Sequence, residues 1–311
     1  MLAATLNFRY SGHQTFVCRY AWLPKVIREI AMDPNIFGND DNAMVALGVG
    51  KNMVNSIRFW AESTQVLEKS TEGGYFVTPF GRQLLGHKGH DEFLENPLTL
   101  WLLHWKIATN PTHPFYFWHQ MLNYWHRADF CESEILPFLK KNAPPGAPLR
   151  SASTIEQGYR VFINTYVGTR GRKGQIAEDN LDSPLVELDL VRRLGDRRAR
   201  DGDVREPVYA FNLEDKSAVT PELFAYCLDD FWRHRFAGEE TLPFRTITAA
   251  PGSPGQLFKL PEFAVRRHLD LLHEVTRHSY SFEESATLQQ AVRKKDRSAE
   301  EFLDVVYSGK E

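Results

Sequence analysis

The chain offers little cysteine chemistry. Its three cysteines, Cys18, Cys131 and Cys227, are odd in number and far apart. No C-x-x-C pair exists, which excludes a zinc ribbon; buried free thiols in a reducing compartment are the plain reading. Positive charge is not in excess either: 37 Lys and Arg stand against 40 Asp and Glu, a formal net charge of -3. Proteins that coat DNA without regard to sequence carry surplus positive charge. Any DNA contact must therefore come from local patches or be shared with a basic partner. Long hydrophobic runs are missing as well. The block LTLWLLHWKIA is too short to span a bilayer and carries His104 and Lys106. Asn7, Arg9 and His13 interrupt the early apolar residues, so no signal peptide is read. The expectation is a cytoplasmic protein with no membrane contact.

Catalytic patterns are equally sparse. His113, His119 and His126 lack the i, i+4 spacing of a helical metal pair, and His87 and His90 have no carboxylate pattern to complete a site. LGVGKN reads as a helix turn, not as a phosphate-binding loop. Glu187 and Asp189 would share one face of a strand over LVELDLVRRL, and a carboxylate pair can hold magnesium. The lysine expected after such a pair in a restriction nuclease is absent from VELDLVRR. The expectation is a nonenzymatic protein with no catalytic residues, no metal and no cofactor.

What is present lies first between Asn42 and Gly86. Asp40 or Asp41 caps a helix carrying Met44, Val45 and Leu47, and Gly48 and Gly50 break it. A second helix from about Lys51 has Met53, Val54, Ile57 and Trp60 at helical spacing. Val66-Leu67 and Tyr75-Phe76-Val77 read as two short strands around the turn Glu72-Gly73-Gly74. Thr78 and Pro79 then start a closing helix. That order predicts a winged helix-turn-helix. The second helix shows Lys51, Asn52, Asn55 and Arg58 on its polar face. Lys and Arg neutralise phosphate or bond guanine, and Asn can bond adenine through two contacts. Met53, Ile57 and Trp60 are the expected buried side, with Lys51 and Arg58 facing solvent. The other reading is a packing module that meets protein rather than DNA.

The same order recurs twice. CESEILPFLKKNA and SASTIEQGYRVFINTYV read as helices, the latter with a Ser153–Glu156 capping box, a buried stripe of Ile155, Tyr159, Phe162 and Tyr166, and Gln157, Arg160 and Asn164 outside. LVELDLVRRL and PVYAFNL read as strands joined by a charged wing. In a third unit, Thr241 caps a helix to Ala249, QLFKL is a strand, Pro261 opens a helix, Tyr280 and Phe282 belong to a small wing, and a helical tail runs Gln289–Tyr307. The fold class is therefore mainly α with small β-hairpin wings (α+β), in tandem winged helix-turn-helix units. The divisions are 1–97, an N-terminal winged helix; 98–218, an aromatic connector and second unit; and 219–311, a third unit with its tail. Trp101, Trp105, Phe117, Trp118 and Trp125 read as core rather than as a base-stacking platform. The loop TRGRKG carries Arg170, Arg172 and Lys173 with no acid inside it, which suits phosphate contact beside Arg160. The polar segment SGHQTF reads either as an arm along a DNA backbone or as a helix start at Ser11 or Thr15, with His13 satisfying a buried carbonyl.

The segments SGHQTFVCRYAWLPK, LGVGKNMVNSIRFWAES, SASTIEQGYRVFINTYV, LDSPLVELDLV and SPGQLFKLPEFAVRRHLDLL resemble the DUF4007 family, from about Ser11 to Tyr307. The resemblance implies an accessory protein of DNA phosphorothioation or restriction, because such genes lie beside DNA sulfur-modification and phage-defence genes. It implies duplex DNA and proteins of that operon as partners, and it brings no catalytic residues. The family pattern has an Asp where this chain has Gly158, and a glycine inside a helix costs about 1 kcal/mol against alanine.

Overall fold

The computed structural model describes residues 7–145, 147, 151–168, 183–198, 205–285, 287–295 and 298–308. They form an α+β fold in which helices dominate and three small antiparallel sheets complete the elements. Two compact units result. One takes in Met1–Met121 and Trp125–Asn212, the other Leu122–Tyr124 and Leu213–Glu311. Residues 97 and 98 lie in the same unit, and a division falls at 212/213.

The first unit opens with α1 (Trp22–Met32), which buries Trp22, Leu23, Val26, Ile27 and Ile30. A 3-10 turn, Ile36–Gly38, leads to α2 (Asp40–Leu47). Its cap is Asn39, whose side chain accepts from the Asn42 N–H; Asp40 and Asp41 instead occupy the first turn, where their charge favours the helix start. Gly48 ends α2 in the left-handed region at φ 62°, a conformation glycine adopts without steric cost. Helix α3 (Lys51–Ser63) follows, then β1 (Leu67–Lys69) and β2 (Tyr75–Val77), paired antiparallel with Leu67 opposite Val77. Gly74 has φ 72°, and a Cβ there would stand 2.7 Å from the Pro34 carbonyl oxygen. Thr78 accepts from the Gly81 N–H at 2.9 Å to start α4 (Pro79–Leu85), the cap and proline read from the sequence.

Helices α5 (Pro97–Thr109) and α6 (Tyr116–Tyr124) carry the aromatic block inward. Trp101, Trp105, Phe117, Trp118 and Trp125 are all buried, as core residues should be. Phe115 stacks on Trp118 with ring centres 4.6 Å apart, and the Trp118 indole N–H donates to the Tyr166 hydroxyl at 2.7 Å. Strand β3 (Asp129–Cys131) leads into α7 (Glu132–Lys141), with Pro137 inside the helix, and α8 (Ala152–Tyr166) follows. The cap of α8 is Ser151, not Ser153: its hydroxyl accepts from the Thr154 N–H, so the helix starts two residues earlier than the capping-box reading. Gly158 is buried where the Phe117 ring meets the helix, and a Cβ would fall 2.0 Å from a ring carbon. The glycine that weakens this helix intrinsically is what lets α6 approach it.

Leu185–Leu188 reads as strand in the sequence but belongs to a 3-10 helix, Pro184–Leu188. Pro184 presets its first turn, and Asp189 at φ 47° ends it. Period alone does not separate a short apolar strand from such a turn. Glu187 and Asp189 are therefore not neighbours on a strand face. The strand begins after them, as β4 (Val191–Arg198), paired with β5 (Arg205–Phe211) in the order β3-β5-β4.

The second unit is built on α9 (Pro221–Arg235), capped by Thr220. Thr241 lies in β6 (Thr241–Pro243) rather than capping a helix, and α10 (Phe244–Ala249) follows it. QLFKL is not a strand. Ser253 and Pro254 supply a cap and a first-turn proline for α11 (Pro254–Leu257), a helix start inside what reads as a turn. Pro261 precedes α12 (Glu262–Asp270), and α13 (Leu272–Val275) follows. Strands β7 (Tyr280–Glu284) and β8 (Gln289–Arg293) complete a sheet in the order β6-β8-β7. The tail expected as one helix is thus strand first and helix second, α14 (Ala299–Ser308). Ser298 and Glu301 cap its start reciprocally, at 3.2 and 3.3 Å. Among the described residues no helix is long and apolar enough to cross a membrane.

Candidate nucleic-acid interface

Helix α3 presents its polar face as a graded surface. Lys51 and Asn52 are exposed, while Met53, Asn55 and Arg58 are half-buried. Val54, Ile57 and Trp60 form the buried side. Met53 and Arg58 thus differ from the simple inside–outside split. Val54 takes the inward position, and Arg58 lies along the surface instead of standing out from it. The Arg58 guanidinium donates to the Asn55 side-chain oxygen at 3.1 Å and lies 5.9 Å from the centre of the Phe37 ring. Both contacts fix its direction. Arg58 lines a shallow cleft of about 200 Å³ with Phe37, Lys69, Gly74 and Tyr75. Lys69 comes from β1, so the helix and the ribbon each bring one cation to the same cleft. The ribbon turn is glycine-built, with Gly73 and Gly74 at positive φ, and backbone can therefore approach a ligand closely there.

At the exposed start of α3, Lys51 pairs with Asp40 at 2.7 Å. Hydrogen bonding to Asp40 is the main reason its ammonium is held charged above the ordinary lysine range. The pair is open to solvent, where such contacts contribute little and are screened by salt. Exchanging Asp40 for a phosphate at Lys51 is consequently a small rearrangement.

Arg160 sits in a different field. It is exposed on α8, between Glu132 at 3.7 Å and Glu156 at 3.9 Å. Beside it lies an ionic cluster that sequence reasoning missed. Arg197 from β4 reaches Glu134 at 2.5 Å and the Cys131 Sγ at 2.6 Å, with Asp129 at 3.7 Å and Glu206 at 3.9 Å. Arg127 adds a second contact to Glu134 at 2.8 Å. Ser133 donates to Glu206 from its hydroxyl at 2.6 Å and from its backbone N–H at 3.0 Å. Burial works against the charge on Glu134, but its two arginines outweigh burial and hold the carboxyl below the usual range. Glu206 is held down similarly, burial being opposed by the Ser133 bonds. The Cys131 thiol is pushed up, chiefly by burial. These residues come from β3 and the connection before it, α7, β4 and β5, so no local spacing announces them. Arg193 and Asp196, paired at 2.6 Å, likewise balance each other on β4. Arg170, Arg172 and Lys173 lie outside the described residues.

The remaining candidates are occupied. Tyr20 donates its hydroxyl to Glu187. Asp189 accepts from Arg192 at 2.9 Å and from the Asn212 amide at 3.2 Å. No group of three or more His, Cys, Asp or Glu that could hold a metal occurs among the described residues. The segment SGHQTF starts no helix. Gly12, Gln14 and Thr15 have positive φ, and His13 turns inward. Its Nδ1 accepts from the Thr15 N–H at 3.1 Å, so the ring caps a tight turn rather than a carbonyl. Burial lowers its pKa to about 4.

A family model described as "Protein of unknown function (DUF4007)" matches residues 10–307. The chain belongs to the DUF4007 family. No curated protein matches it. Two solved structures share the fold of this DUF4007 protein. One is described as magnesium ion-bound SspB, at 22% identity and a TM-score of 0.81; the other is SspB, at 21% and 0.78. Each alignment covers 95% of this chain and 86% of the other. At that identity the likeness concerns the fold alone.

Proposed function

We propose that this protein is a DNA-binding accessory subunit of a DNA phosphorothioation or related anti-phage system. In this reading it is nonenzymatic and positions a modification or cleavage partner on duplex DNA. Helices α2 and α3 with the β1–β2 ribbon serve as a winged helix-turn-helix, and the α7–α8 and α10–α12 regions repeat the plan in looser form. The observation that carries the reading is the cleft between α3 and the ribbon, where Arg58 and Lys69 converge beside a glycine turn. A phosphate seated there would leave Lys51, Asn52 and Asn55 along the groove side of the helix. Phosphate contacts position such a protein, and asparagine and arginine contacts to base edges supply sequence preference. The association with sulfur modification rests on the family's gene setting.

A second reading, metal-dependent DNA cleavage, is favoured by one observation: a protein of the same fold is described as magnesium-bound. Glu187 and Asp189 give it no support here, because both carboxylates are engaged by other side chains. One experiment separates the readings. Purified protein is titrated with labelled duplex and, in parallel, incubated with supercoiled plasmid and magnesium. Salt-sensitive binding with intact plasmid supports the accessory role. Nicking that requires magnesium supports the second reading, and the absence of both favours an adaptor that binds protein alone.

A further inference from the structure

Helix α13 ends in a turn that brings two histidine rings together, tilted at 58° to each other. Arg277 and His278 are consecutive residues in the left-handed region, at φ 47° and 67°. Neither is glycine, and such a conformation costs an L residue on the order of 1 kcal/mol. Two backbone bonds fix the turn: Arg277 N–H to the Glu274 carbonyl at 3.0 Å and His278 N–H to the His273 carbonyl at 2.8 Å. Its effect is to fold the His278 ring back over His273. The ring centres are 4.2 Å apart, and His278 Nδ1 stands 2.9 Å from His273 Nε2 and 3.1 Å from His273 Nδ1. Both side chains are exposed, so the pair is not part of a core.

We propose that His273 and His278 form a surface site for a borderline transition cation of the zinc, nickel or copper class. Two imidazole nitrogens bound to one such ion at about 2.0–2.1 Å stand roughly 3.0–3.4 Å apart. The pair is already near that spacing, and binding requires the two exposed rings, now tilted at 58°, to turn so that one in-plane lone pair of each points at the ion. Imidazole suits these ions and not magnesium, which prefers oxygen ligands. The site is therefore separate in chemistry from any magnesium centre, and it does not depend on the DNA-binding reading. Arg277 lines a cleft together with Glu301 and Asp304, which sets acidic side chains near its positive charge. Two protein ligands leave the remaining coordination positions to water or to a group from a partner.

Calorimetric titration of the tag-free full chain with zinc chloride tests this, with copper electron paramagnetic resonance as a second readout. The wild type is expected to bind one equivalent, with nitrogen hyperfine structure on copper. His273→Ala and His278→Ala should each weaken zinc binding at least tenfold, and the double variant should lose the equivalent while its unfolding temperature stays unchanged. Equal zinc stoichiometry and affinity in the double variant and wild type would overturn the site, as would a wild type that takes up no zinc. A copper signal without nitrogen coupling from these two rings would also count against it.

Discussion

Helices α3 and α8 each carry residues expected from the sequence to contact DNA, Lys51, Asn52, Asn55 and Arg58 on the one and Arg160 on the other, yet the surroundings of their cations differ. Around α3, Lys51 meets one exposed carboxylate, and Arg58 points along a cleft shared with Lys69. Around α8, Arg160 lies between two glutamates, and the neighbouring strand cations are balanced by Glu134, Glu206 and Asp196. A phosphate approaching α3 displaces at most one solvent-exposed partner. One approaching the described residues beside α8 meets carboxylates first. Residue type alone makes the helices look alike; the counter-charges that separate them arrive from other elements.

Packing sets the two regions apart most sharply. Gly158→Ala should destabilise the first unit by about 3 kcal/mol, because the added methyl falls 2.0 Å from a carbon of the fully buried Phe117 ring, which must shift within a packed core. Gly50→Ala at the start of α3 should move the unfolding midpoint little, since nothing stands within 4 Å of its Cβ position. Comparable losses in urea melts of the two variants would erase the contrast. Next in size is Arg197→Ala. It removes one of the arginines that compensate the Glu134 carboxylate while Arg127 stays, and should cost about 1–2 kcal/mol. Arg160→Ala, which breaks only exposed pairs, should cost under about 0.5 kcal/mol. A thermal shift for Arg160→Ala as large as that for Arg197→Ala would show that the ionic cluster is not the anchor of this region.

Acid should act on both units. Burial lowers the pKa of His13 in the first unit and of His268 in the second, each to about 4. His268 stacks on Phe224 with ring centres 4.8 Å apart, and among the described residues neither of its ring nitrogens has a hydrogen-bond partner. A depressed folded-state pKa means that the unfolded chain takes up the proton first. The stability contributed is complete above about pH 6.5 and is lost as pH falls toward 4, on the order of 3 kcal/mol for each histidine. His268→Phe should therefore flatten the pH dependence of unfolding in that window. An unaltered slope from pH 6.5 to 4 in that variant would remove His268 from the explanation.

Legibility in the sequence followed the range of the signals. Thr78-Pro79, the Gly48 turn and the alternation around Gly73-Gly74 are local chemistry, and the elements from α2 to α4 were readable from them. The aromatic block was readable as core because a large apolar load has few other places to go. Ser253-Pro254 was local too, but it was taken for part of a turn, and QLFKL was then given the wrong element. Pro184 likewise hid a 3-10 helix inside an apolar run, which removed the strand that would have paired Glu187 with Asp189. Gly158 looked like a flaw in α8 because its reason is a ring on α6, 41 positions away in the chain by the residue numbers. Lys69 was passed over because a lone lysine on a three-residue strand has no pattern; its meaning comes from standing across a cleft from Arg58.

The measurement that bears most directly on the central claim is the salt dependence of duplex binding for the wild type and for Lys51→Ala/Arg58→Ala/Lys69→Ala. If the α3 cleft and helix start hold phosphates, the variant should bind more weakly at every salt concentration and keep its unfolding midpoint. The slope of log affinity against log salt should become shallower by about two to three units, close to one for each lost contact. A variant that binds with the wild-type affinity and slope would contradict the account and move DNA contact away from α3 and its ribbon.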